Sequence, residues 1–239
     1  MNIFALDTSQ RTVSVSILAG DEIRADMLIQ SNRHHSEALL PAIEQVFRMT
    51  GLRPEDMDGF AATIGPGSFT GLRIGTATIK GLALATGKPV IGVSTLEALA
   101  RNAALVGKMI CPMLDAQKNK VYTALYSPLG GLPLKKVMDE QVVDVDQWLQ
   151  ELTGDLFFLG DGALKYNQPI RDRFPFAQGV AEGHQNAVRA STVAVLAREQ
   201  LQRGEVMDLL TFAPSYLRLS GAETPDRQTS KVDKLQEFR

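Results

Sequence analysis

The sequence predicts an α/β fold built as two similar lobes, and three observations predict it. Strand patterns alternate with helical ones along most of the chain. Two strand–turn–strand openings repeat: Leu6-Asp7 is followed by five residues and Val13, and Leu114-Asp115 by five residues and Val121. Asp7 and Asp115 are thus 108 residues apart, and both turns contain Gln and a basic residue. In each half a later apolar strand then breaks at glycines, Gly65-Pro66-Gly67 and Gly160-Asp161-Gly162. Internal repetition sets architecture before any single motif does. Here it predicts a cleft between lobes, with Asp7 and Asp115 facing each other across it.

The elements follow in order. Ile3, Ala5 and Asp7, then Val13, Val15 and Ile17, alternate as two strands around the turn Thr8–Thr12. Residues 36–50 place Leu39, Leu40, Ile43, Val46 and Phe47 at helical spacing, with Gly51 as a stop and Pro41 as a start or a bend. Phe60 to Ile64 reads as a short strand and about Thr70 to Thr86 as a helix ending at Gly87. Val90 to Val93 is a strand, and Ser94 or Thr95 caps a helix running to about Leu105. The second half reads as strands at Ile110–Asp115, Val121–Tyr126 and Leu156–Leu159, with helices at about Ala163–Phe174 and Ser191–Arg203. The N-terminal lobe is expected over 1–103, completed by about 190–218, and the C-terminal lobe over 104–189. Residues 219–239 balance four acidic against four basic residues and read as a polar tail. Val232, Leu235 and Phe238 give it a small apolar stripe for docking, should it not stay flexible.

Composition narrows the function. With 44% hydrophobic and 22% charged residues among 239, the chain can bury a sizeable core. A net charge of −2 argues against autonomous nucleic-acid binding, and Lys135-Lys136, the nearest thing to a basic run, reads as a solvated face. The single cysteine, Cys111, lies among apolar residues and reads as a buried thiol. The early Asp7 and the lack of a long apolar run predict no signal sequence, no membrane span and a cytoplasmic location.

Gly65 to Gly75 is the most distinctive stretch. A strand leading through glycines into a helix start can offer free N–H groups to an anion. Yet Leu72, not Lys, follows Gly71, so it is no Walker loop. Thr70 stands where a dinucleotide loop needs its third Gly and where a Gly-x-Ser-x-Gly elbow needs its last. In the helix beyond, Gly71, Gly75, Thr78, Gly81, Leu82 and Ala85 fall near one side. Each interior Gly costs up to about 1 kcal/mol against Ala, so close approach to something is expected, either the chain's own sheet or another chain. His34 and His35 point about 100° apart on a helix, and His184 is isolated, so metal binding is not expected. Asp7 and Asp115 remain as groups for magnesium or phosphate, or as turn-forming carboxylates.

These residues resemble a family. Asp7-Thr8-Ser9, the string Gly65-Pro66-Gly67-Ser68-Phe69-Thr70-Gly71-Leu72-Arg73-Ile74-Gly75, Lys80-Gly81-Leu82-Ala83, Gly92-Val93-Ser94-Thr95-Leu96 and Tyr216-Leu217-Arg218 together are similar to the TsaB (YeaZ) family of actin-like ATPase relatives. The resemblance covers about residues 1–218. It implies a duplicated actin-like, Hsp70-like (ribonuclease H-like) fold with two lobes of mixed sheet plus helices. It also implies a non-catalytic subunit that pairs with the catalytic paralogue TsaD and works with the ATPase TsaE. The implied complex uses ATP, a metal held by TsaD and threonylcarbamoyl-adenylate, reaches tRNA only as a complex, and modifies the adenosine beside the anticodon. TsaD-like proteins carry a His-x-x-x-His metal pair after the strand matching Pro89–Val93; here Ser94-Thr95-Leu96-Glu97-Ala98-Leu99 stands there. The implied partner interface is Leu39, Ile43, Val46, Phe47, Gly71, Gly75, Thr78 and Leu82, used also for a homodimer when the chain is isolated. Asp7, Thr8, Gly67, Ser68 and Asp115 form a candidate vestigial nucleotide or phosphate site. The competing reading is an actin-like ATP-dependent kinase or phosphohydrolase using Asp7 and Asp115.

Overall fold

The computed structural model describes residues 1–30, 35–128, 131–175 and 180–217. The chain folds as two compact units, the first from Met1–Asn102 with Glu182–Tyr216 and the second within Ala103–Ala181.

The first unit opens with β1 (Asn2–Asp7), β2 (Thr12–Ala19) and β3 (Glu22–Gln30), then α1 (His35–Thr50), β4 (Gly59–Gly65), α2 (Phe69–Thr86), β5 (Val90–Ser94) and α3 (Thr95–Arg101). Its sheet runs β3-β2-β1-β4-β5. β1 is antiparallel to β2 and parallel to β4, so the sheet is mixed. β1 is apolar without alternation because both of its faces are covered. Phe4 and Leu6 join the core beneath α1 and α2, where Phe4 stacks on Phe47 at 5.2 Å and meets Phe60 at 6.0 Å. The other face is covered by α7 (Ala190–Gln202), which packs on β1 and β2 and buries Ala190, Val193, Ala194, Leu196 and Ala197.

That long-range return is pinned by polar groups. Buried Gln10 donates from Nε2 to the Asn186 carbonyl at 3.2 Å and accepts from the Val188 N–H at 2.8 Å. Ser14 Oγ, on β2, accepts the Ala190 N–H at 2.8 Å and so satisfies a first-turn donor of α7 that no local side chain caps.

The second unit repeats the order with less material. It comprises β6 (Met109–Asp115), β7 (Lys120–Ser127), β8 (Lys135–Asp144), α4 (Val145–Glu151), β9 (Leu156–Leu159), α5 (Asp161–Lys165) and α6 (Asn167–Arg173). Its sheet runs β8-β7-β6-β9, the order of the first four strands of the first unit. Cys111, Trp148 and Phe158 anchor its core.

Three differences from expectation have local causes. β3, β8 and α4 are additional: β3 and β8 are half-exposed edge strands whose charged faces interrupt the apolar signal. The helix expected over Ala163–Phe174 is two helices meeting at Tyr166 (φ −102, ψ 26), because Pro169 cannot donate to the i−4 carbonyl and is tolerated only near a helix start. The 108-residue offset holds in the strand ends, with residues 8–11 and 116–119 connecting them, but not in the pairing: Asp7 pairs with Ser14, whereas Asp115 pairs with Val121, a register one residue different. The second turn closes through Gln117, Lys118 and Asn119, all left-handed at φ 62, 48 and 58.

Candidate functional site

The site in the first unit forms where β1 ends. Asp7 follows a fully buried strand and is itself without accessible surface. Its Oδ1 accepts from Ser9 Oγ at 2.6 Å, Thr63 Oγ1 at 2.5 Å and the Ser9 N–H at 3.2 Å. Its Oδ2 is buried with no hydrogen-bond partner. Burial outweighs those hydrogen bonds and pushes the carboxyl up from 3.8 to about 6.

The glycine loop packs against the two residues that follow this carboxyl. Ser68 N–H donates to the Ser9 carbonyl at 2.7 Å, and Thr8 Oγ1 donates to the Gly71 carbonyl at 2.7 Å. A Cβ on Gly67 would lie 2.5 Å from the Ser9 carbonyl oxygen, and one on Gly71 would overlap the Thr8 carbonyl. Gly75 is likewise filled by Thr8 and Leu6. Ser68 Oγ caps α2 by accepting from the Gly71 N–H at 3.2 Å. The N–H groups of Ser68, Gly71 and Leu72 are thus spent on the chain itself. As placed, Gly67 and Ser68 lie against Ser9, and Gly71 against Thr8.

Asp115, in the second unit, is differently engaged. It lies at an exposed turn, and Lys165 Nζ donates to both of its carboxylate oxygens at 2.9 Å. The Asp115 N–H donates to Asp161 Oδ1 at 3.0 Å, and Asp115 Oδ1 accepts from the Gln117 N–H at 2.9 Å. An ammonium stands where a cation-binding role would need space.

The interface residues need correction. Leu39, Ile43, Val46 and Phe47 are buried in the first unit's own core, as are Gly71 and Gly75. Thr78 and Leu82 are half-buried. Helical periodicity picks out the stripe that faces the sheet, and the glycines lie close to β1's end rather than to another chain. Solvent instead meets Leu40, Glu44, Arg48 and Met49 on α1, and Phe69, Arg73, Ala77, Gly81 and Leu84 on α2. A Cβ on Gly81 would meet nothing within 4 Å.

The sequence reading also missed a surface cluster at the start of α2. Phe69 stacks on Tyr216 at 5.1 Å, the Arg73 guanidinium lies 3.8 Å over Phe69, and Arg73 Nε–H donates to Tyr216 OH at 3.0 Å. The i, i+4 spacing of Phe69 and Arg73 was the available signal.

The remaining candidates are quiet. His35 Nε2 is 2.7 Å from the Gln10 carbonyl, and His184 sits in a one-turn helix at Gly183–Gln185. His34 and the tail residues Val232, Leu235 and Phe238 lie outside the described residues. Cys111 is buried, which pushes its thiol up to about 11. Among the described residues no helix is long and apolar enough to cross a membrane.

Comparison with known proteins gives these features a context. The family model described as TsaD: tRNA N6-adenosine threonylcarbamoyltransferase matches residues 29–225. A tRNA threonylcarbamoyladenosine biosynthesis protein TsaB of Bacillus subtilis is 33% identical over 93% of this chain and 96% of its own length. The TsaB of Haemophilus influenzae is 30% identical over 91% and 94%. A crystal structure of a Pseudomonas aeruginosa protein described as similar to peptidase YEAZ superposes with a TM-score of 0.78 at 28% identity, covering 91% of this chain and 99% of that one. With two mixed sheets of matching strand order and relatives spanning nearly its whole length, the chain has the actin-like fold and belongs to the TsaB (YeaZ) family.

Proposed function

We propose that this chain is the non-catalytic subunit of a complex that forms threonylcarbamoyladenosine in tRNA. It pairs with a TsaD-like catalytic paralogue and works with a TsaE-like ATPase. The paralogue transfers threonylcarbamoyl from its adenylate to the adenosine beside the anticodon, and tRNA is met only by the assembled complex.

The observation that carries this reading is the engagement of both candidate carboxylates within the chain. Asp7 is buried and held by Ser9 and Thr63, and Asp115 is held by Lys165. The stretch after β5 supports it. Ser94 Oγ accepts from the Glu97 N–H at 3.1 Å as a helix cap, while Thr95, Leu96, Ala98 and Leu99 are buried. That stretch serves packing and offers no imidazole for a metal. The kinase or phosphohydrolase reading needs both carboxylates free for magnesium and phosphate, and no observation favours it.

The exposed faces of α1 and α2 are the pairing surface we favour, for the paralogue and for a homodimer of the isolated chain. Ala77, Gly81 and Leu84 give α2 a low apolar surface on which a helix can pack closely. The test is reconstitution with the organism's own TsaD-like and TsaE-like chains, tRNA, ATP and the threonylcarbamoyl donor system. Product is expected from the mixture and none from this chain alone. Modified nucleoside formed by the purified chain alone overturns the reading. Ala77→Arg, at an exposed position, should abolish co-purification with the paralogue while leaving the melting temperature unchanged.

A further inference from the structure

The last described segment of the first unit runs along the rim of its sheet to the glycine loop. Met207 N–H donates to the Val90 carbonyl at 3.0 Å at the edge of β5, and a Cβ on Gly92 would meet Met207 Sδ. Lys80 Nζ donates to the Leu210 carbonyl at 3.1 Å, and Phe212 is buried. Ser215 N–H then donates to the Ile64 carbonyl at 2.7 Å, and a Cβ on Gly65 would lie 2.5 Å from the Ser215 oxygen. Beyond it, Tyr216 joins Phe69 and Arg73. The segment therefore grips the loop at both ends, at Ile64–Gly65 before it and at Phe69–Arg73 after it.

Two tendencies oppose each other across that grip. Next to the loop's contact at Ser9 lies the Asp7 carboxyl, bonded by Ser9 and with one oxygen buried and unpartnered, a state that costs free energy. In front lies a stack whose rings remain open to solvent, Phe69 at 54% and Tyr216 at 48% exposure. A contact so exposed can be undone from outside without disturbing the core.

We infer that residues 207–216 form a clasp that holds the Gly65–Gly71 loop shut against Thr8 and Ser9, the residues that follow the buried Asp7, with the Phe69–Arg73–Tyr216 stack as its releasable end. The loop is then a gate with two arrangements, one of them seen here. The clasp adjoins the exposed face of α2, so a partner that engages Phe69 or Tyr216 also biases the gate; this last step rests on the pairing reading above.

Hydrogen exchange followed by mass spectrometry on the full chain tests the clasp. Peptides covering residues 64–72 report the Ser68 N–H, which bonds the Ser9 carbonyl only while the gate is shut. Tyr216→Ala and Arg73→Ala should each speed exchange there about tenfold, the size expected for losing a stacked or cation–π contact. Peptides from α7, β6 and β7 should be unchanged. Tyr216→Phe, which keeps the stack and loses only the hydroxyl that accepts from Arg73, should give a smaller acceleration at the same peptides. It carries the comparison if the alanine variants do not fold. Unchanged exchange over 64–72 in folded variants overturns the inference, as does equal acceleration in every peptide, which reports global loosening. Repeating the measurement with the paralogue bound should alter exchange in 64–72. No change there in a formed complex removes the coupling and leaves the clasp standing. No complex at all counts against the pairing reading and not against the clasp.

Discussion

The two units end their first strand in the same residue and treat it in opposite ways. In the first unit the carboxylate is inside, fed by two hydroxyls and a backbone N–H, and a helix start is brought close to the next residue, Thr8, by glycine. In the second it is at the surface, and a lysine neutralises it. Both units also bring a helix onto the strand end at a glycine, Gly71 against Thr8 and Gly162 against Met113 and Leu114. The shared frame therefore fixes where the carboxylate is. The side chains brought against that strand end, Ser9 and Thr63 in one unit and Lys165 in the other, decide whether it is a buried carboxyl or an ion pair.

The largest expected effect breaks the close approach itself. Gly71→Ala places a methyl within the Thr8 backbone, which cannot move as a side-chain tip can. A loss of about 3 kcal/mol or more is expected in denaturant unfolding. Gly81→Ala, about three turns along the same helix but on its exposed face, meets nothing and should gain up to about 1 kcal/mol from helix propensity alone. Equal responses of the two variants would show that Gly71 is not held against β1.

Next comes Asp7, whose carboxyl is pushed up to about 6 by burial. Between pH 4 and 6 the folded chain holds a proton that the unfolded chain has released. Stability from this group is thus fully present below about pH 4 and is lost as pH rises through 6. The difference of about two pH units corresponds to roughly 3 kcal/mol. Melting measured from pH 4 to pH 7 should fall in the native chain, most of it by about pH 6. Asp7→Asn should flatten that decline, whatever its effect at any single pH. A parallel decline in both proteins would place the titrating group elsewhere.

A smaller effect tests how the first unit recruits its distant helix. Ser14→Ala deletes the acceptor for the Ala190 N–H and leaves that donor buried, at a cost of about 1–2 kcal/mol. Exchange at the first turn of α7 should quicken more than exchange in β1.

How much of this was legible follows from the kind of signal each feature leaves. The repeat was readable because Leu6-Asp7 and Leu114-Asp115 keep strand and turn chemistry in register. The one-residue difference in pairing after the turn was not, since register is invisible until strands pair. α2 was read nearly to its ends because Ser68 and Gly87 cap it. Its partners were misjudged, because apolar periodicity and small residues describe the face that is buried without saying by what. Leu39, Val46, Gly71 and Gly75 all fell to that ambiguity. The Phe69–Arg73–Tyr216 stack joins residues 143 apart, from Arg73 to Tyr216, and only folding brings them together.

The smallest expected effect concerns Lys165, and it sharpens the contrast between the units most. Its pair with Asp115 is solvent-exposed, and exposed pairs add little to stability. Lys165→Gln should leave melting nearly unchanged, and the small difference should vanish in high salt. The more telling readout is ATP turnover with magnesium. If the lysine only neutralises the end of β6, freeing Asp115 creates no activity, because Asp7 stays buried and held by Ser9 and Thr63. Turnover gained by Lys165→Gln and lost again with Asp7→Asn would instead mean that the lysine holds an actin-like enzyme switched off, and would revive the kinase or phosphohydrolase reading.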